Sequence, residues 1–125
     1  MSQKTILSVG QCGPDHASLT RFFHQHFDVE ILTADLPADA LDVLRGRAVD
    51  LVLINRKLDA DYTDGMNILR TIKADQKLSS IPVMIVSNFE EAQQAAVETG
   101  AVYGFGKAEL SSPVVKERVE NVLYK

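Results

Sequence analysis

Five times along this chain a short β-branched run gives way to a segment with helical spacing, and that alternation limits the fold more than any single residue does. The strand-like runs are 4–9 (KTILSV), 29–33 (VEILT), 50–54 (DLVLI), 81–86 (IPVMIV) and 101–105 (AVYGF). The third and fourth are nearly continuous apolar stretches, the pattern of central parallel strands buried on both faces. The helical segments are 14–27, 37–46, 64–74, 89–99 and 113–124. In the first, Leu19, Phe22, Phe23 and His26 recur at i, i+3, i+4, i+7; in the last, Val115, Val119 and Val122 recur at i, i+4, i+7. Asn88 with Glu91 reads as a capping box for the fourth, closed by Gly100. Ser112-Pro113 opens the fifth. Alternating strands and helices predict an α/β, doubly wound five-stranded parallel sheet with five helices and right-handed crossovers. The whole chain, 1–125, reads as a single domain.

Composition removes several function classes. Thirteen Lys and Arg against seventeen Asp and Glu give a net charge of −4, which provides no footprint for nucleic acid. One cysteine, Cys12, excludes an internal disulfide and a cysteine-rich metal centre. No apolar stretch has signal-peptide or membrane-spanning length, so the expectation is a cytoplasmic protein that binds neither membrane nor nucleic acid.

In open α/β sheets, ligand chemistry gathers at the carboxyl ends of the strands. Those ends carry Gly10 and Gln11, Asn55, Ser87 and Lys107. "GQCG" at 10–13 is similar to a nucleotide-binding turn of tubulins, but the glycine-rich phosphate loop that accompanies it there has no counterpart, nor does a Walker or GxGxxG motif. The glycines are better explained by the strand-to-helix turn itself. Cys12 has no Cys-x-x-Cys partner, and His24 and His26, two residues apart on a helix, point their rings apart.

Read in order, these strand ends resemble the receiver domain of bacterial two-component response regulators. "DLVLIN" at 50–55 is similar to the family's "DLVLLD", "IPVMIVS" at 81–87 to "IPVIMLT", and "GAVYGFGKA" at 100–108 to "GADDYLVKP". The run from Asp64-Gly65 into an Ile-Leu-Arg helix also matches. The resemblance implies a flavodoxin-like sheet of order 2-1-3-4-5. It also implies roles. In the family, an acid pair after the first strand and an acceptor aspartate after the third hold Mg²⁺, while a hydroxyl and a lysine contact the phosphoryl oxygens. Here the acid pair falls on Gly10 and Gln11, the acceptor on Asn55, the hydroxyl on Ser87 and the lysine on Lys107. The switch aromatic is Gly104, the proline after the lysine is Ala108, and the loop from Asn55 to Gly65 is longer than usual.

These departures strike the chemistry and spare the scaffold. A neutral amide is a poor nucleophile, and three missing carboxylates remove interactions worth roughly 4 kcal/mol each at ~4 Å and an effective dielectric near 20. The expectation is a degenerate receiver without a metal, cofactor or enzymatic activity, which works by docking a protein partner such as a histidine kinase or a downstream signalling protein. The surface expected to dock, or to pair two copies, combines the fourth helix, fifth strand and fifth helix. No effector segment follows Lys125, which points output toward another protein and the sequence toward a complete domain.

Two alternatives remain open. A displaced acid, Asp59 or Asp61, takes over as acceptor, with Asp15 or Asp64 nearby as further carboxylates. Otherwise the vacated pocket binds an anion or small ligand through Lys107, Ser87 and Asn55. The ordinary reading of Asp15 is a carboxylate at a helix start. For Asp59 and Asp61 it is a solvated turn, and for Lys107 a solvated or ion-paired side chain.

Overall fold

The computed structural model describes residues 3–124. Four parallel strands, β1 (Lys4–Val9), β2 (Val29–Ala34), β3 (Leu51–Asn55) and β4 (Val83–Val86), lie in the order β2-β1-β3-β4. They alternate with α1 (Gly13–His26), α2 (Pro37–Gly46), α3 (Gly65–Ala74) and α4 (Glu90–Glu98), and α5 (Pro113–Leu123) closes the chain. Strand residues divide between two cores by the twofold alternation of side chains. Leu7, Val9, Val52, Ile54, Val83 and Ile85 pack under α2, α3 and α4. Ile6, Leu51, Leu53, Met84 and Val86 pack under α1 and α5. Burial on both faces is why β3 and β4 read as unbroken apolar runs.

The expected fifth strand is absent: the sheet has four strands and not five. Residues 101–105 do run beside β4, held at both ends, with Val102 N donating to Val83 O (2.9 Å) and Ser87 N to Phe105 O (3.0 Å). In the register Val102 begins, a parallel ladder would pair Gly104 N with Ile85 O and Ser87 N with Gly104 O. Neither bond forms. The carboxamide of Gln93, buried in α4, is inserted between the chains: its Nε2 donates to Ile85 O (2.9 Å) and its Oε1 accepts from Gly104 N (2.8 Å). Gly104 O accepts from the Arg118 guanidinium of α5 instead. Both backbone groups of Gly104 are thus taken by side chains, and only a bridge between Val86 and Phe105 remains of the ladder.

Smaller differences follow the same logic. Asn88 does not cap α4; Phe89 is the cap residue and Asn88 Oδ1 accepts from Ala108 N (3.1 Å). Ser112 does cap α5, accepting from Val114 N, and Asp64 caps α3, accepting from Met66 N. Among the described residues no helix is long and apolar enough to cross a membrane.

Candidate functional site

Gly10 ends β1 with φ +75°, a left-handed conformation that disfavours any residue with a Cβ. A Cβ placed there would lie 2.2 Å from Leu58 Cδ2 and 3.0 Å from Leu58 Cα. Leu58 is fully buried, so the space beside Gly10 is not an empty niche but the seat of an aliphatic side chain. The lengthened loop after β3 delivers it. Lys57 and Asp64 form an isolated antiparallel backbone bridge, Leu58 N donates to Thr63 O (2.9 Å) and Tyr62 N to Leu58 O (2.9 Å), with Tyr62 itself at φ +59°. Arg56 adds an ion pair to Asp64 at 3.0 Å. The Gly10 carbonyl anchors the loop by accepting from Asp59 N (3.0 Å) and from the Asn55 amide Nδ2 (3.1 Å).

The other positions find partners within the fold, Gln11 through its amide nitrogen only. Gln11 Nε2 reaches back to Val9 O at 3.5 Å. Ser87 Oγ accepts from Phe89 N (3.1 Å). Lys107 Nζ lies 2.6 Å from Asp15 Oδ2, an acid 92 residues away on the first turn of α1. Asp15 also accepts from the Cys12 thiol at 3.0 Å. The Lys107 bond first, and the Cys12 bond second, hold its carboxyl below the usual carboxylate range. The lysine is therefore ion-paired, with neither Asp59 nor Asp61 as its partner. Asp61 accepts from Thr63 N (3.0 Å), a bond that lowers its own pKa, and its side chain stays in solvent.

Asn55, Ser87 and Lys107 do line one shallow cleft, joined by Arg56, Lys57 and Phe89. Gln11 lines a different one, with Ser8, His16 and Asp59. The five positions that the receiver resemblance groups together are thus divided between two clefts, with Gly10 buried against Leu58. The residues at the family's metal-holding positions do not fit a divalent cation: Gly10 offers no side chain, Gln11 and Asn55 are neutral, and Leu58 takes the space a side chain at position 10 would need. Among the described residues no three His, Cys, Asp or Glu side chains converge for a metal ion.

Comparison with known proteins decides the family. Residues 14–116 match the response regulator receiver domain. The chain belongs to that family. The match begins after β1, beyond Gly10 and Gln11. No curated protein matches the sequence. Among solved structures, the signal receiver domain of a DNA-binding response regulator from Colwellia psychrerythraea is similar at 24% identity, covering 98% of this chain and 100% of that one, with a TM-score of 0.82. The phosphorylated cyanobacterial phytochrome response regulator RcpA is similar at 23% identity, over 98% and 96% of the two chains, with a TM-score of 0.76. The Mn²⁺-bound form of response regulator Rcp1 follows at 20% identity, over 98% and 96%, with a TM-score of 0.73. At these identities the likeness carries the fold.

Sequence reasoning missed three side chains that shape this receiver: Leu58, Gln93 and Arg118. Gln93 left a signal, since it sits three residues before the buried Ala96 and puts a polar group on the inner stripe of α4. Tyr103 lies on the outer surface, where its hydroxyl donates to Glu90 of α4 and Arg118 of α5 rests 4.8 Å from its ring centre. Tyr62 and Phe89 are loop residues with exposed rings, 75% and 68% accessible.

Proposed function

We propose that this receiver, as a single domain over 1–125, no longer accepts a phosphoryl group and acts as a protein-interaction module in two-component signalling. The observation that carries the reading is Leu58 seated against Gly10, where it takes the space a side chain at the first acid position of the family would need. Asn55 as the acceptor residue, its amide hydrogen-bonded to the Gly10 carbonyl, points the same way. So does Lys107, whose charge is met by Asp15 and needs no phosphoryl oxygen. Enzymatic turnover, a bound cofactor and nucleic-acid binding have no part in this reading, and the protein works in the cytoplasm.

The partner is a histidine kinase or a downstream signalling protein, and the docking face is that of α4, residues 101–105 and α5. The Glu90–Tyr103–Arg118 link braces that face, and Val97 and Val114 are exposed on its helices. A second copy of the chain is the other occupant this face suits. Incubation with acetyl phosphate and Mg²⁺ followed by intact mass measurement tests the central point. The expected spectrum is unchanged; a hydroxylamine-labile gain of one phosphoryl group, mapped to Asp59, Asp61 or another acid, overturns the reading.

A further inference from the structure

A groove of about 680 Å³ runs between α1 and the start of α5, beside the turn that carries Lys107. Its α1 wall is one stripe, Ser18, Arg21, Phe22, Gln25 and His26, at the spacing that places residues on a single side of a helix. At about 1.5 Å per residue the stripe is roughly 12 Å long. Leu110, Pro113 and Lys116 line the groove from the α5 side. Pro113 is exposed and Leu110 half-buried, so apolar surface is open to a ligand between the polar walls.

Charge sets this groove apart from the rest of the molecule. The chain carries −4 overall, yet Arg21, His26, Lys107 and Lys116 line the groove and no Asp or Glu does. The acids nearest to it in sequence are engaged elsewhere. Asp15 is taken by Lys107 (2.6 Å), and Glu109 turns back to accept from Gly106 N (2.9 Å). Lys107 is therefore already paired. Arg21 and Lys116 are exposed, and neither joins an ion pair among the described residues. Unpaired cations on two different helices, with apolar surface between them, match a ligand that carries spaced negative charges and an apolar side. The length of the stripe favours a segment of chain over a small anion.

We propose that this groove docks an acidic, amphipathic segment of a partner protein. Its carboxylates meet Arg21 and Lys116, and its apolar side lies on Leu110 and Pro113. The surface is separate from the face formed by α4, residues 101–105 and α5. Lys116 is two residues from both Val114 and Arg118, about 200° around the helix from each. The proposal stands whether or not the chain accepts a phosphoryl group.

The test uses the full ¹⁵N-labelled chain at low salt and three short peptides of one helix-forming design. These carry Glu, Gln or Lys at the same spaced positions among Ala and Leu. Saturable amide shifts along α1 and at Ser111, Ser112 and Lys116 with the Glu peptide, at a Kd below about 1 mM, support the site. The Gln and Lys peptides bind roughly tenfold more weakly or not at all, and added NaCl weakens the Glu peptide. Arg21→Gln and Lys116→Gln each weaken it about two- to fivefold while Tm stays unchanged, as expected for exposed cations. Val114→Ser, on the other face, leaves binding as it was. No saturable shift, equal binding of the Gln or Lys peptide, or shifts confined to the α4, 101–105 and α5 face would each overturn the proposal. So would Arg21→Gln and Lys116→Gln variants that bind normally, or inorganic phosphate bound as tightly as the Glu peptide.

Discussion

Gln93→Ala removes the insert that keeps residues 101–105 out of the sheet, and its cost follows from the bonds lost. The carboxamide makes three hydrogen bonds, to Ile85 O, Ser87 O and Gly104 N, from a residue 3% exposed. Truncation strands at least Ile85 O and Gly104 N, each costing about 1–3 kcal/mol when buried and unmet. We expect a loss of about 3 kcal/mol by urea unfolding. At ~2.1 cal/mol/K per residue over 125 residues, that lowers Tm by roughly 11 °C. Hydrogen exchange at the Gly104 amide accelerates in parallel. Gln94→Ala, one position along and exposed, serves as the control and stays within about 0.5 kcal/mol. Gln93→Glu adds a sign test: the new carboxylate still accepts from Gly104 N but faces the Ile85 carbonyl. Its folded pKa rises above the unfolded value of about 4.3, so the variant's deficit is smallest at low pH, where its single O–H replaces one of the two donated bonds, and grows as pH rises through that range. If Gln93→Ala unfolds within about 0.5 kcal/mol of the parent and Gly104 stays protected, a direct Gly104–Ile85 bond has formed in its place and the insert is dispensable.

Three other outcomes follow from the same structure. Leu58→Ala loses about 2–5 kcal/mol by chemical denaturation, as a fully buried leucine should. Gly10→Ala is destabilised by its positive φ, about 1–3 kcal/mol, and further by contact with Leu58; in a double-mutant cycle with Leu58→Ala the two costs sum to more than the double variant loses. Lys107→Met costs at most about 1 kcal/mol near neutral pH, since both partners are partly solvated. Because the folded Asp15 pKa is depressed, that contribution is present above about pH 4 and vanishes as pH falls through the folded value, so parent and variant converge under acid urea denaturation.

Periodicity located the buried strands and all five helices because burial writes itself into side-chain pattern: Val52, Leu53 and Ile54 are apolar since both faces of β3 are covered. Strand pairing is a property of backbone groups, and pattern is silent about who meets them. At Gly104 they are met by Gln93 and Arg118, eleven and fourteen residues away, and a run that looks like a strand does not become one. Asn88 has good capping chemistry, but a tertiary acceptor role toward Ala108 N outcompetes the local one. The strand-end residues were legible from their places, and their partners were not. The Lys107–Asp15 pair spans 92 residues, and the identity of Leu58 carries no hint that it would sit on Gly10.

The seating of Leu58 works as a ratchet. On the proposed reading, Asn55→Asp alone supplies a carboxylate at position 55 and leaves Leu58 seated against Gly10. A side chain at position 10 demands a relaxed backbone there and a loop that withdraws its leucine, both together. A side chain at position 10 and the present seat of Leu58 are mutually exclusive, so the backbone there and the loop after β3 can change only together.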